Sequence, residues 1–221
     1  MYWLLNSSIG RKLIMSISGV FLILFLLFHA SMNLVLVFSD EAYDMICEAL
    51  GANWYAIAGT LVLVGGVLIH IVYATLLTLQ NQKARGADKY ASANKTTTEW
   101  SAKNMYVLGL IVLLGLAIHL WNFWYKMQFV ELLGHEPAQG SAIVKGLFAY
   151  YPPLYGLVYL AWLTAIWFHL THGVWSAFQT LGFNNKIWFA RLKCISNAVA
   201  TIIVLLFAVC PVYFTISNLL S

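Results

Sequence analysis

The sequence predicts an all-α integral membrane bundle of five transmembrane helices, with the N-terminus in the cytoplasm and the C-terminus outside. Hydrophobic residues make up 62% of the 221 residues and charged residues 9%, whereas a soluble domain carries about 25% charged residues. Five charge-free runs each exceed the ~18 residues that indicate a spanning helix, and the period-two pattern of a barrel is absent. One domain, residues 1–221, is therefore expected to hold helices at about 13–38, 52–82, 103–126, 150–181 and 193–217.

Lysine and arginine are distributed unevenly enough to predict the orientation. Short cytoplasmic loops of membrane proteins carry an excess of these residues. A cytoplasmic N-terminus places ten of the twelve cations inside, namely Arg11, Lys12, Lys83, Arg85, Lys89, Lys95, Lys103, Lys186, Arg191 and Lys193. The outer side then holds Lys126 and Lys145 with six of the eight acids, namely Asp40, Glu41, Asp44, Glu48, Glu131 and Glu136. The net charge of +4 reflects this asymmetry and implies no nucleic-acid partner.

Several kinds of protein are excluded by what the sequence lacks. The first apolar run is too long for a signal peptide and no small-residue cleavage site follows it. Cys47, Cys194 and Cys210 form neither C-x-x-C nor C-x-x-C-H, which argues against iron–sulfur clusters and covalently attached haem. No glycine-rich nucleotide loop is present, so the chain has no site for a flavin or nucleotide of its own.

The histidines are the residues that indicate chemistry. His135 stands in an outer loop and is interpreted as solvated. The other five lie inside apolar runs, where an ionisable group is costly and usually functional. They are His29, His70, His119, His169 and His172. A single such histidine is as readily explained by a hydrogen bond to a neighbouring helix, but four helices that each carry one at matched depth favour a ligand set.

The depth match is the specific signal. Each histidine stands 16 or 17 residues, about 24 Å, from the side on which its helix enters the bilayer: Lys12 to His29, Trp54 to His70, Lys103 to His119, and Pro153 to His169. Because neighbouring helices run antiparallel, His29 and His119 fall in the outer half and His70 and His169 in the inner half. Two pairs at two levels predict two stacked, non-covalent b haems, each held by two imidazoles.

Small residues near the histidines predict room for a flat macrocycle. Gly66 and Gly115 stand one turn before His70 and His119, and Gly173 follows His169 by one turn. Phe25 occupies the corresponding place before His29, although Gly19 is near. Glycine also serves close packing between membrane helices, so this pattern supports the haem prediction without carrying it.

His172 leaves the fourth ligand open. It follows His169 by three residues and shares roughly the same helix face, so either could bind the inner haem. His169 is preferred because its depth matches that of His70. His172 would then lie nearer the inner surface, within reach of a haem propionate.

With this histidine layout the chain resembles a known family, the single-chain, five-helix, two-haem cytochrome b subunits of succinate:quinone oxidoreductases and quinol:fumarate reductases. The matching stretches are Ser16-Ile-Ser-Gly-Val-Phe-Leu and His29-Ala-Ser-Met-Asn33 in the first helix, and His169-Leu-Thr-His-Gly173-Val-Trp-Ser in the fourth. In the family the fourth-helix ligand stands four residues before a glycine, which favours His169. The resemblance also implies that the first and third helices share the distal haem and the second and fourth the proximal one, with Ser16 and Gly19 in the haem environment.

The resemblance implies a function in the respiratory chain and the tricarboxylic acid cycle. A flavoprotein and an iron–sulfur protein on the cytoplasmic face would perform the succinate and fumarate chemistry, in a bacterial inner membrane. This chain would anchor them and exchange electrons with a quinone, which for two-haem, single-subunit members is usually menaquinone. Asp44, Glu48 and Trp54 lie at the level of the outer haem and are the candidate quinone residues.

Two other readings stay open at the level of sequence. A quinone-reactive dihaem cytochrome of a hydrogenase or formate dehydrogenase would share the histidine chemistry and differ in its partner subunits. A haem-free transporter could use membrane histidines as a proton relay, but it would be expected to carry charged or broken helices at mid-membrane, which this sequence lacks.

Overall fold

The computed structural model describes residues 5–85, 100–150, 154–183 and 185–220. Within these ranges the chain is helical without a β-strand, and five helices are long and apolar enough to cross a membrane. They are α1 (Ser8–Val35), α3 (Trp54–Arg85), α5 (Met105–Leu132), α7 (Leu154–Thr180) and α8 (Lys186–Leu220). The all-α class and the five apolar helices are thus confirmed. Lys89, Lys95 and Pro153, used in the topology and depth predictions, lie outside the described residues.

The ends of the long helices differ from the predicted ends, which followed the first charges of each run. Backbone hydrogen bonds continue past a charge, because a long cationic side chain can reach water from within the helix. So α8 already begins at Lys186, and α5 runs on through Lys126 to Leu132. The predicted fourth helix, about 150–181, corresponds to α7 over Leu154–Thr180; Tyr150 belongs to a helix that starts at Gly140, and residues 151–153 lie outside the described residues.

Three short helices were not predicted: α2 (Asp40–Ala49), α4 (Trp100–Lys103) and α6 (Gly140–Tyr150). The start of α2 is explained by its sequence, since the Ser39 side chain accepts a hydrogen bond from the Ala42 amide and Asp40 and Glu41 occupy the first turn. Carboxylates are favourable there because a helix N-terminus carries partial positive charge. The acids read as an outer loop are therefore largely part of a helix.

The first four long helices form a square, and α8 braces one side of it. α1 packs against α3 and α7, α7 packs against α5, and α5 contacts α3 more sparsely. The pairs α1/α5 and α3/α7 are therefore the diagonals, and residues that face across the bundle belong to these pairs. α8 packs along α7 and α1 through an apolar core that includes Leu163, Ile166, Leu170, Ala200 and Ile203.

One end of the bundle gathers the last turns of α1, α5 and α8, the first turns of α3 and α7, and the short helices α2 and α6. We call it the α2/α6 end. The five long helices consequently alternate in direction. Its buried core holds Leu36, Tyr43, Val144, Phe148, Tyr159 and Phe214. All six acids predicted to share one face lie at this end, on α2, at the end of α5 or in the following loop.

Candidate functional site

His29 and His119 face each other across the α1/α5 diagonal. Their ring centroids are 5.8 Å apart with planes at 81°. Aromatic side chains surround the pair: Phe25 stacks on His29 at 5.4 Å, Phe207 of α8 lies 5.5 Å from it, and Trp162 of α7 lies 5.7 Å from His119. The pair therefore sits in an apolar interior to which four of the long helices contribute.

His70 and His169 form the second pair, across the α3/α7 diagonal. Their ring centroids are 6.3 Å apart with planes at 65°. Each ring lies against a glycine of a neighbouring helix. A Cβ placed on Gly19 would meet His70 Cε1 at 3.5 Å, and one placed on Gly109 would meet His169 Cε1 at 3.5 Å. The structure thus brings together the same two pairs that the depth count predicted.

The spacing within each pair fits an iron ion between two imidazoles. A metal–imidazole bond is about 2 Å long and the ring centre lies about 1.2 Å beyond the bonded nitrogen, so two axial imidazoles have centroids about 6.4 Å apart. The observed separations of 6.3 and 5.8 Å lie close to this value. Among the described residues no group of three or more histidine, cysteine or acidic side chains could hold a metal. Pairs without a third protein ligand suit haem, whose porphyrin supplies the remaining four nitrogens.

The Nδ1 atom of His169 is buried without a hydrogen-bond partner among the described residues. A buried polar nitrogen without a partner is uncommon in a protein interior and calls for an explanation.

His172 stands beside an aromatic side chain of its own helix. Its ring meets Trp175 edge to face at a centroid distance of 4.8 Å, whereas His169 is the α7 histidine that meets His70. This arrangement supports His169 as the fourth ligand, which stays a prediction. Trp175 also lies under the Lys193 ammonium, 5.3 Å from the ring centroid, so His172 belongs to a cationic and aromatic corner at the end opposite α2 and α6.

The small residues predicted to make room for haem have different neighbours. Ser16 is buried, and Gly19 lies against His70 as described. Gly66 accommodates the Phe21 ring, where a Cβ would meet Cε1 at 2.6 Å, and Gly115 accommodates the Trp162 indole. Gly173 has only the Met105 methyl near it, at 3.6 Å. Of the four glycines, Gly19 alone touches a predicted ligand.

The three candidate quinone residues have different surroundings. The Asp44 carboxylate accepts hydrogen bonds from the Ser141 amide and hydroxyl, both at 2.7 Å, and so ties α2 to the start of α6. Glu48 is exposed on α2, and the Trp54 side chain is 81% exposed at the start of α3. All three stand at the α2/α6 end, the end toward which His29 and His119 lie.

Directly after His119 the α5 backbone changes to a π-helix, over Leu120–Phe129. Two polar side chains of this segment, Asn122 and Gln128, are buried. The Asn122 amide donates to the Tyr159 hydroxyl at 3.1 Å. π-helical turns are rare and occur frequently at functional sites. Beside it a groove of about 590 Å³ runs between α5 and α7, lined by Ala117, Ile118, Trp121, Asn122, Leu154, Tyr155 and Val158.

Gln128 connects three parts of the α2/α6 end. Its side-chain oxygen accepts from the Thr60 hydroxyl at 2.9 Å and the Trp124 indole at 2.7 Å, and its amide donates to the Gly51 carbonyl at 2.8 Å. Next to it, the Glu131 carboxylate accepts from the Ala52 amide at 2.8 Å. These bonds hold the start of α3 to the end of α5, where the helices otherwise contact each other sparsely.

Sequence reasoning missed Ser18, Gly109 and the two buried amides, Asn122 and Gln128. Gly109 had a visible signal, because it precedes His119 by ten residues as Gly19 precedes His29. Gln128 had none, because a period of 3.6 residues places it nine residues after His119, on the opposite face of the helix, whereas Asn122, three residues after His119, shares the face of that histidine. No family model, curated protein or solved structure matches this chain.

Proposed function

We propose that this chain is the membrane-anchor cytochrome b subunit of a succinate dehydrogenase or fumarate reductase. It passes electrons between cytoplasmic flavin and iron–sulfur subunits and a membrane quinone. The observation that carries the proposal is the presence of two histidine pairs on the two diagonals of one bundle, each with a ring separation suited to a single iron. The sequence resemblance supplies the choice of complex.

The chain's own residues bind and enclose two b haems. His29 and His119 would hold one, and His70 and His169 the other. Each bound haem supplies a one-electron couple. Phe25, Phe207 and Trp162 exclude water around the first pair, and a dry, low-dielectric surrounding is one of the means by which a protein sets a haem potential.

The proposed orientation puts the α2/α6 end outside and the opposite end in the cytoplasm. The cytoplasmic end then carries the described cations Arg11, Lys12, Lys83, Lys103, Arg191 and Lys193, while the six described acids lie at the other end. α3 has 32 residues, about 48 Å of helix, which exceeds a hydrocarbon core of about 30 Å. The excess near His70 offers a docking surface for the iron–sulfur subunit.

The docking surface can be tested by cross-linking the purified complex. Links from Lys83, Lys89 or Lys186 to an iron–sulfur subunit are expected. Links that form only from Lys126 or Lys145 would reverse the proposed orientation. Because these two lysines belong to the same chain, they serve as the internal control for cross-linker reactivity.

Quinone is proposed to exchange electrons near His29 and His119, with menaquinone as the expected substrate. Asp44, Glu48 and Trp54 stay candidates, since a carboxylate there could exchange a proton with a reduced quinone. Replacing Asp44 and Glu48 together is expected to slow quinone turnover and spare both haems. Because Asp44 also binds Ser141, the Ser141→Ala variant is the control for a purely structural effect. If quinone turnover is unchanged in the double variant, both carboxylates are excluded.

The test of the proposed function is purification of the native assembly followed by a haem assay and a subunit inventory. We expect about two equivalents of acid–acetone-extractable protohaem per chain, with a flavoprotein and an iron–sulfur protein. Two haems with hydrogenase or formate dehydrogenase subunits would move the chain to the alternative dihaem cytochrome. A preparation without haem would refute both.

A further inference from the structure

Ser18 has a side-chain hydroxyl within hydrogen-bonding distance of the imidazole of His70, a predicted haem ligand. Its hydroxyl donates to the Met15 carbonyl at 2.9 Å, one helical turn back, and its oxygen lies 3.3 Å from His70 Nδ1. A serine hydroxyl has one hydrogen and two lone pairs. With this hydrogen directed at the Met15 carbonyl, the Ser18 oxygen is free to accept a hydrogen bond from His70 Nδ1.

Such a donation requires the tautomer of His70 with the proton on Nδ1. In that tautomer the lone pair of Nε2 is available to a metal. The other member of the pair differs, since His169 Nδ1 is buried without a hydrogen-bond partner among the described residues. Of the two predicted ligands of the inner haem, His70 therefore has a hydrogen-bond partner for Nδ1, and His169 has none among the described residues.

We propose that Ser18 is a positioning residue that fixes His70 with Nε2 toward the inner haem and lowers the reduction potential of that haem. This inference rests on the proposed function. A metal-bound imidazole that donates its other N–H becomes a stronger electron donor. A stronger donor stabilises ferric over ferrous iron, so the hydrogen bond favours the oxidised haem.

The residues of α1 and α5 that face the two inner ligands explain why only His70 has this hydrogen bond. Gly19 and Gly109 each precede an outer ligand by ten residues, and each lies against the ring of an inner ligand. They occupy equivalent places on α1 and α5. The residue before Gly19 is Ser18, whereas the residue before Gly109 is Leu108, which has no polar atom in its side chain to accept a hydrogen bond.

The experiment is a potentiometric titration, followed by optical and electron paramagnetic resonance spectra, on the purified complex containing S18A. The potential of one haem, the one lost in a His70 variant, should rise, and its low-spin resonance should shift, while the other haem is unchanged. The S18T variant keeps a hydroxyl and should restore the native potential. T164A is the control, because the exposed Thr164 hydroxyl on α7 likewise donates to the carbonyl one turn back, that of Leu160, and makes no described bond to a histidine.

A reciprocal pair of variants tests the same chemistry on the other ligand. A Cβ at position 109 would lie 3.9 Å from His169 Nδ1, in ordinary contact, so a hydroxyl added to it comes within hydrogen-bonding reach. G109S should lower the inner-haem potential relative to G109A, which adds the same bulk without the hydroxyl. Equal potentials in these two variants would count against the proposed mechanism.

An S18A complex that keeps both haems with native potentials overturns the inference and leaves the proposed function standing. In that case the Met15 carbonyl, which also lies near the His70 ring, holds the imidazole without Ser18. A native complex without haem overturns the proposed function itself. The haem assay therefore separates the two failures before any potential is measured.

Discussion

Replacing Gln128 with alanine should destabilise the bundle more than any other single change of a polar residue at the α2/α6 end. The variant loses three short hydrogen bonds, from Thr60, from Trp124 and to the Gly51 carbonyl, and a fourth, longer one to the Leu50 carbonyl at 3.4 Å. A typical intramolecular hydrogen bond contributes about 1 kcal/mol net, and a buried carbonyl left unpaired costs about 1–3 kcal/mol. We therefore expect a loss of about 3 kcal/mol, or roughly 6–12 °C in melting temperature for a chain of this size.

The assay is thermal unfolding in detergent, followed by intrinsic fluorescence. Q128E is the informative second variant: it keeps an acceptor for Thr60 and Trp124 but turns a carboxylate oxygen toward the Leu50 and Gly51 carbonyls, so at neutral pH its loss should be at least as large as that of Q128A. N104A is the control, since the exposed Asn104 amide makes a single local bond to the Trp100 carbonyl. If Q128A melts within 2 °C of N104A, the junction of α3 and α5 does not depend on Gln128 and the reasoning fails.

The remaining predictions concern the fourth ligand and the orientation. Alanine at His172 should leave both haems in place, whereas alanine at His169 should remove the inner haem; the opposite result, read by haemochrome assay, would move the ligand by one turn. An impermeant maleimide should label the exposed Cys194 in inside-out vesicles and not in intact spheroplasts, and the reverse would invert the topology. Cys47 should stay unlabelled at pH 8, because burial raises the pKa of its thiol to about 11. Labelling should increase as the pH approaches 11, and labelling that does not increase would contradict the burial. Cys210 is buried and should stay unlabelled throughout.

Much of the candidate site could be predicted from the sequence, because the depth of a residue in the bilayer can be counted along its helix. A helix rises by a fixed increment per residue, so the distance from a charged end to a histidine gives its level, and alternation of direction gives the pairing. The ring contacts of His29 with His119 and of His70 with His169 follow that count. The diagonal placement of the pairs did not follow from it, because levels say nothing about which helices are neighbours.

The parts that could not be predicted depend on local backbone geometry. The π-helix after His119 has no sequence signal that distinguishes it from the α-helix before it, and the buried position of Gln128 depends on it. The bond from His70 to Ser18 joins residues 52 positions apart, so it requires the packing of α1 on α3 to be known. Gly66 and Gly115 show the limit of the small-residue argument, because both turned out to accommodate aromatic rings.

The central claim is that each diagonal of the bundle holds one haem, and redox titration of four alanine variants tests it most directly. The variants replace His29, His119, His70 and His169 singly, and optical spectra resolve the two haem signals. The His29 and His119 variants should lose the same signal, and the His70 and His169 variants should lose the other. Loss of one and the same signal in the His29 and His70 variants would contradict the pairing, together with the five-helix arrangement on which it depends.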